Sequence, residues 1–273
     1  MQATSPTSVA LQAFELINNV QLFAGLYRMH RTHAGAREVT YQVSDQAGLD
    51  HAALRAMFLE DMATPSRPVD WTGDKWDADE PDYATHLTLD YLKPRESVSA
   101  SAAPLDKTYL VFAKDAQGRV VGYTAATVSL WFMLPGADVD EDEPSLEDVA
   151  SWLLTSKRST LKAFLKISVH ETYTLASHRG QGASSATMEY LGYLFMQNVN
   201  STITALQGPL RAHGKKLELS FDLYAEWESK SGCLAAGTLL AQLEAGVRGL
   251  RRHYRGKGLP VKLPKTVTYD AGF

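Results

Sequence analysis

A short glycine-rich segment, Arg-Gly-Gln-Gly-Ala-Ser at residues 179–184, carries the sharpest chemical signal in the sequence. It lies between a segment that predicts a strand and one that predicts a helix. Glycine lets the backbone approach an anion closely. The first turn of a helix adds unpaired N–H donors and the positive end of the helix dipole. The segment therefore predicts a phosphate or pyrophosphate site, while a turn that uses glycine only for its geometry is the competing interpretation.

Two common nucleotide-binding motifs fit this segment less well. A Walker loop ends in Gly-Lys followed by Ser or Thr, and residues 179–184 contain no lysine. A dinucleotide fingerprint has three glycines early in a strand–helix–strand unit, whereas this segment has two and comes late in the chain. Neither motif accounts for the segment.

Glu171 is a second candidate, on the predicted strand just before the glycine segment. A carboxylate on a central strand is costly unless it is paired or solvated. Alternation along the strand predicts that Glu171 shares a face with Tyr173 and Leu175, and that His170, a lesser candidate, points the other way. A salt-bridged or peripheral carboxylate is the competing interpretation.

Charge is unevenly distributed along the chain. Residues 245–269 contain no acid and seven basic side chains: Arg248, Arg251, Arg252, Arg255, Lys257, Lys262 and Lys265. A solvated helix face is the ordinary interpretation, and an RNA or another phosphate-bearing ligand is the functional one. The acidic run at 137–148 is likewise either a solvated loop that ends in a helix cap or a surface that attracts a cationic substrate.

The composition limits the class of protein. Of 273 residues, 45% are hydrophobic and 21% charged, which suits a globular core. The single cysteine, Cys233, excludes a disulfide framework, and His30 and His33 lack further ligands nearby, so no metal is predicted. A net charge of −4 gives no general signature of a nucleic-acid partner. With no signal peptide or membrane-spanning run, we expect a cytoplasmic protein without a membrane partner.

Strand-like and helix-like segments alternate, which predicts an α/β (α+β) fold. Strands are predicted at 38–43, 107–114, 119–133, 163–176, 217–225 and 260–269, and helices at 8–29, 49–63, 184–199 and 234–254. The sequence Asp-Ala-Gln-Gly at 115–118 predicts a hairpin turn. The amphipathic helix at 8–29 would cover the sheet or a second subunit in a homodimer, and a linker is expected over 28–35.

These features together resemble the GNAT superfamily of acyl-CoA-dependent N-acyltransferases. The acyl-CoA signature of that family is Arg or Gln, two residues, Gly, one residue, then Gly or Ala, between its fourth strand and third helix. Arg179, Gly182 and Ser184 fall on the fixed positions, with serine in place of Gly or Ala. The order of elements is also similar, and the resemblance covers residues 36–63, 107–133 and 163–269.

The resemblance implies a division of the chain. Residues 36–273 would form a GNAT-like domain with a mixed, mainly antiparallel central sheet flanked by helices. Residues 1–35 would add the amphipathic helix and its linker, and the domain would carry insertions at 65–104 and 134–160. The choice of acceptor is expected to depend on these additions.

The resemblance also implies a site for acetyl-CoA, the acyl donor. Backbone groups of Tyr173, Thr174 and Leu175 would pair with the pantetheine arm. Amides of the turn would hold the pyrophosphate, with contributions from Arg179, Gly180, Gln181, Gly182, Ala183 and Ser184. For the Arg179 side chain, a surface role that bridges to the strand end is the alternative.

Two side chains receive catalytic roles on the same basis. Glu171 would help an amine, whose pKa lies near ~10.4, to lose its proton before attack. Tyr254, close to the end of the last helix, would protonate the departing CoA thiolate, as the resemblance implies. Packing in the core with a satisfied hydroxyl is the alternative for Tyr254.

The sequence thus predicts a GNAT-type N-acetyltransferase that moves an acetyl or short acyl group from acyl-CoA to a primary amine by direct attack. Two alternatives remain open. One is a non-catalytic interaction or structural protein on the same scaffold. The other is an acetyltransferase whose acceptor is a macromolecule, either a protein lysine or an aminoacyl-tRNA.

Overall fold

The computed structural model describes residues 28–34, 37–44, 48–62, 92, 106–134, 144, 146–226 and 230–272. Residues 8–27 of the helix predicted at 8–29 lie outside these ranges. The 65–104 insertion lies outside them except for Leu92, and so does most of the acidic run at 137–148.

Eight strands in the described ranges form one mixed sheet. They are β1 (Arg28–Ala34), β2 (Arg37–Ser44), β3 (Asp106–Lys114), β4 (Val120–Met133), β5 (Thr160–Thr174), β6 (Lys216–Glu226), β7 (Val261–Lys262) and β8 (Thr268–Gly272). The four α-helices of the same ranges are α1 (His51–Met62), α2 (Leu146–Thr155), α3 (Ala183–Ala212) and α4 (Lys230–Tyr254).

The type of strand pairing changes once across the sheet, from antiparallel to parallel. Successive strands from β1 to β5 pair antiparallel. β5 and β6 are parallel, and β6 also pairs parallel with β7 near its start and with β8 near its end. Parallel neighbours need long crossovers, and α3 and α4 are these crossovers. The predicted α/β class with a mixed sheet flanked by helices is therefore confirmed.

One face of the sheet packs against α3 and α4. Every second residue of β5 is buried on this face, namely Leu161, Ala163, Leu165, Ile167 and Val169. The matching stripe of α4 includes Leu239, Leu243 and Val247, all at most 1% exposed. The two periods, two in the strand and close to four in the helix, produce this apolar layer.

The opposite face is covered by α1 near the β3–β4 hairpin. Leu54 and Phe58 of α1 are fully buried there and belong to a cluster with Phe112 and Tyr123. The ring centroids of Phe58 and Tyr123 are 5.1 Å apart. α1 is therefore anchored over the end of the sheet where the functional candidates lie.

The helices α3 and α4 approach each other closely at two glycines. A Cβ atom on Gly246 would lie 2.5 Å from Cγ of Met196, and one on Gly192 would lie 2.8 Å from Cγ of Gln242. Because both contacts join residues 50 positions apart, the helices run parallel. They begin at the same end of the sheet and end at the other.

The structure corrects the predicted linker at 28–35. Residues 28–34 form β1, and every residue from Arg28 to Ala34 has a register partner on β2. Edge pairing depends on backbone hydrogen bonds, so the polar sequence that indicated a linker does not prevent a strand. The 134–160 insertion likewise contains a helix, α2.

Element ends differ from prediction where long-range packing decides them. The helix predicted at 184–199 continues to Ala212, because Ile203, Leu206 and Leu210 extend its buried stripe. The strand predicted at 260–269 is divided into β7 and β8, which pair with different parts of β6. The hairpin at 115–118 is confirmed, with Gly118 at a φ of 78°.

Candidate functional site

β5 pairs with β4 over a longer stretch than with β6. Its pairing with β4 continues to Thr174, whereas its pairing with β6 ends at Val169, opposite Ala225. Within the described part of the chain, no strand replaces β6 along residues 170–174. Among the described strands, this stretch of β5 therefore has a neighbour on one side, and its other side is called here the β5 open edge.

The hydrogen bonds of β5 show which backbone groups face this edge. The N–H of Leu175 donates to the Val121 carbonyl at 2.9 Å, toward β4. Backbone groups alternate along a strand, so Tyr173 also faces β4, whereas Thr172 and Thr174 face the open edge. Of the backbone groups predicted to pair with pantetheine, the Leu175 N–H is thus already donated to β4.

A β-bulge lies where β5 separates from β6. The register with β4 passes from Ala126 opposite Val169 to Ala125 opposite Glu171, so His170 has no register partner. One extra residue reverses the alternation of side chains beyond it. Without the bulge, Glu171 would continue the buried row of Val169 beneath α3.

The bulge also brings His170 and Glu171 to one face. Oε2 of Glu171 accepts a hydrogen bond from the Tyr123 hydroxyl at 2.6 Å, and Nε2 of His170 lies 2.8 Å from the Thr127 hydroxyl. Tyr123 and Thr127 are four residues apart on β4 and so share a face. The prediction that His170 points away from Glu171 is wrong, because simple alternation ignores the bulge.

Asp61, at the end of α1, organises the end of β5. Its carboxylate accepts hydrogen bonds from the Tyr173 hydroxyl at 2.8 Å and from the Ala176 N–H at 2.9 Å. Nη2 of Arg179 lies 3.6 Å from the same carboxylate and 3.0 Å from the Tyr173 hydroxyl. Burial, followed by the hydrogen bond to Asp61, raises the pKa of Tyr173 well above its usual value. The Tyr173 phenol therefore stays neutral, and its hydroxyl links Asp61 to Arg179 through hydrogen bonds.

The side chains of Arg179 and Gln181 are used by the turn itself. Nε of Arg179 donates to the Thr174 carbonyl at 3.1 Å, and Nε2 of Gln181 donates to the Ser177 carbonyl at 2.8 Å. The contact with Thr174 agrees with the alternative interpretation of Arg179, a bridge to the strand end. The anion site predicted at this turn would therefore depend on backbone amides.

The backbone of the turn has the geometry that its glycines allow. Gly180 and Gly182 have φ angles of 71° and 87°, in the left-handed region that other residues rarely adopt. The first N–H bond of α3 runs from Ala186 to the Gly182 carbonyl at 2.9 Å. The N–H groups of residues 183–185 consequently have no acceptor within the helix.

A chain of hydroxyl groups ties the turn to the sheet. The hydroxyls of Ser184 and Thr174 are 2.7 Å apart, so the serine that departs from the family signature joins the helix start to β5. Thr187 lies 2.7 Å from Thr124, which in turn lies 2.9 Å from Thr172. These contacts hold α3, β4 and β5 in fixed relation at the β5 open edge.

Tyr254 lies elsewhere. Its hydroxyl donates to Oδ1 of Asn200 at 2.9 Å. Asn200 is 17 residues into α3, roughly 26 Å from the glycine turn along the helix. After α4 the chain reaches Val261, which pairs with Leu217 near the start of β6. Glu171 lies near the opposite end of the sheet, beyond Val169, where the pairing of β5 with β6 ends. The structure does not bring Tyr254 and Glu171 together, because α4 is 25 residues long.

The described residues offer no metal site and no membrane-spanning helix. No three His, Cys, Asp or Glu side chains of the described ranges are grouped so as to hold a metal ion. No helix in those ranges is both long and apolar enough to cross a membrane. Comparison of the chain with protein-family models, with curated proteins and with solved structures gives no match. The function must therefore be argued from the geometry.

Proposed function

We propose that this protein is a GNAT-type N-acyltransferase that moves an acetyl or other short acyl group from acyl-CoA to a primary amine. The observation that carries the proposal is the β5 open edge, which leads within five residues into the glycine turn at 179–184. A slot of this kind suits a ligand with an extended amide chain and a pyrophosphate at one end.

The two halves of acyl-CoA match the two parts of this region. An extended amide chain can pair with an exposed strand edge as an added strand does, and Thr172 and Thr174 direct backbone groups to that edge. The pyrophosphate then lies at the start of α3, where the unpaired amides of residues 183–185 and the helix dipole favour an anion. The Thr174 carbonyl is already occupied by Arg179.

The reaction we propose is direct aminolysis of the thioester. The unprotonated amine attacks the carbonyl carbon, a C–N bond forms, and the C–S bond breaks. A backbone N–H of the β5 open edge stabilises the oxyanion. Glu171, oriented by the Tyr123 hydroxyl, accepts the amine proton directly or through water. Since Tyr254 is remote, the CoA thiolate, with a thiol pKa near ~8.5, takes its proton from water.

The test begins with binding. A ligand that binds only the native state raises the melting temperature, so we expect CoA and acetyl-CoA to stabilise the protein. Gly182→Val should remove this effect, because a side chain at a φ of 87° distorts the turn. Gly214→Val is the matched control. Gly214 also has a positive φ, 62°, but lies in the turn after α3 with open space around it.

The readouts separate the outcomes. Both variants should melt at a lower temperature, and only Gly182→Val should lose the CoA-induced rise. No rise for the wild type at about 1 mM CoA would reject the proposal, because even a weak site is occupied at that concentration. Binding of acetyl-CoA without release of free CoA thiol, when amines, peptides or charged tRNA are supplied as acceptors, would instead support the non-catalytic alternative.

A further inference from the structure

A groove of about 620 Å³ lies where α4 ends, far from the glycine turn. Its lining includes Arg248, Arg251, Arg252 and Arg255, together with Tyr254, Leu259 and Val261. Arg248, Arg251 and Arg252 follow the spacing i, i+3 and i+4 on one face of α4, and Arg255 comes directly after the last residue of that helix. The groove therefore combines a row of guanidinium groups with a few apolar side chains.

Few of the positive charges in this row of arginines are paired with a carboxylate. Arg248 is paired with Glu244, with Nη1 3.6 Å from Oε2. For Arg251, Arg252 and Arg255, no carboxylate of the described residues lies within ion-pair distance, and all three are exposed. Like charges three and four residues apart destabilise a helix by a few tenths of a kcal/mol per pair. The helix dipole offsets this cost only in the last turn.

The surroundings of the groove extend the basic surface. Lys257 and Lys265 are exposed beside it, and Lys262 is ion-paired with Glu218 at 2.5 Å. Nη2 of Arg211 donates to the carbonyl of Gly258, which also lines the groove, at 3.3 Å. The net charge of −4 gives no sign of this surface, because the basic residues are concentrated at one end of the chain.

We propose that this groove binds a single-stranded nucleic acid. Guanidinium groups match phosphate oxygens in bidentate geometry. The row covers roughly 6 Å of α4 from Arg248 to Arg252 and continues at Arg255 beyond the helix, so it can contact more than one phosphate of an extended strand. Tyr254 and Leu259, both half-buried, also line the groove and suit the faces of unpaired bases, which a duplex keeps stacked. The inference does not depend on acyl transfer, because the groove and the β5 open edge lie at opposite ends of the sheet.

Binding to a labelled single-stranded RNA of about 12 nucleotides, followed by fluorescence anisotropy at several salt concentrations, tests this proposal. Three phosphate contacts predict a roughly 20-fold loss of affinity between about 50 and about 200 mM salt. The triple variant Arg251→Gln, Arg252→Gln, Arg255→Gln should bind at least about tenfold more weakly at the lower salt, and its logarithmic salt slope should fall by about 2.

The matched control removes three charges outside the groove, as Lys157→Gln, Arg158→Gln, Lys216→Gln, all at exposed positions. It should keep the wild-type salt slope, and an equal loss would overturn the assignment to the groove. If the arginine triple variant does not fold, each single variant should lower the slope by about 0.7. Absence of RNA binding at low salt, or equal affinity for a duplex, polyglutamate or anionic vesicles, would overturn the proposal.

Discussion

Glu171 owes its position to one extra residue in β5. The bulge at His170 turns Glu171 away from the face that continues from Val169 and directs it toward Tyr123. Bulges are common beside active sites, where they re-aim side chains. At the residue scale, the candidate site therefore depends on a local break in the register more than on an unusual residue.

Replacement of Glu171 by Gln tests its role as a base. The amide preserves size and can still accept from the Tyr123 hydroxyl, so the CoA-induced rise in melting temperature should remain. We expect kcat to fall about a hundredfold near neutral pH and the deficit to shrink toward the amine pKa near ~10.4, where the acceptor loses its proton unaided. A kcat deficit that does not change with pH would assign Glu171 a structural role.

The hydrogen bonds of Asp115 predict that the protein loses stability in acid. Its carboxylate accepts the N–H groups of Gln117 and Arg119, both at 2.9 Å, and Nε of Arg119 at 2.8 Å. Burial raises the pKa of Asp115, but these hydrogen bonds outweigh burial and leave the pKa below its usual value. The stabilisation is thus complete above the unfolded-state pKa, near ~3.9, and is lost as the pH falls through the lower native pKa.

The variant Asp115→Asn should accordingly be less stable than wild type at neutral pH, and the difference should narrow as the pH falls below about 4. Urea unfolding at a series of pH values measures both free energies of unfolding. Parallel curves for the two proteins across the acid range would contradict this account of the hairpin.

At the scale of elements, the close contact of α3 and α4 determines how the two ends of the molecule relate. Gly192 and Gly246 remove side chains where the helices meet. Their approach keeps both helices parallel from the glycine turn to the arginine groove. The contact lies within the main core, whose apolar layer includes Leu239 and Leu243.

Two alanine substitutions on α4 should therefore have opposite effects. Gly246→Ala places a Cβ 2.5 Å from Cγ of Met196, and we expect the free energy of unfolding to fall by about 1–3 kcal/mol from overpacking. Gly249→Ala meets nothing within 4 Å and should raise it by about 0.5–1 kcal/mol through helix propensity. Denaturant unfolding checks both values, and a stabilising Gly246→Ala would show that Met196 yields without strain.

At the scale of the whole molecule, the two candidate surfaces are separated by the length of β6. Leu217 pairs with β7 beside the groove, and Ala225 marks the place where β5 and β6 separate. Eight residue steps at ~3.3 Å place these points roughly 26 Å apart. The protein therefore has an open strand edge at one end and a basic groove at the other.

This separation predicts independent binding. The triple arginine variant should keep the CoA-induced rise in melting temperature, and Gly182→Val should keep its affinity for single-stranded RNA. Mutations more than 7–10 Å apart without shared partners usually act additively, to within about 0.5 kcal/mol. Thermal shift and anisotropy on the same two variants measure both quantities. Loss of both activities in either variant would show that the sites are coupled.

The local elements could be predicted from the sequence because each depends on neighbouring residues. The helix predicted at 49–63 is observed as His51–Met62, and the hairpin at 115–118 has Gly118 at positive φ. The two glycines of the segment at 179–184 likewise indicate a turn. Hydrophobic periodicity and turn chemistry act within a few residues, so no knowledge of distant partners was needed.

The sequence by itself thus determined most of the elements, the mixed α/β class and the turn that opens α3. Only the tertiary structure decided that Asp61 joins Tyr173 from 112 residues away. It also decided that β1 pairs with β2, that Glu171 and His170 share a face, and that Tyr254 lies far from both. These features depend on strand register and helix length across the whole fold. A one-residue change in register moves a side chain to the other face, and no local pattern records it.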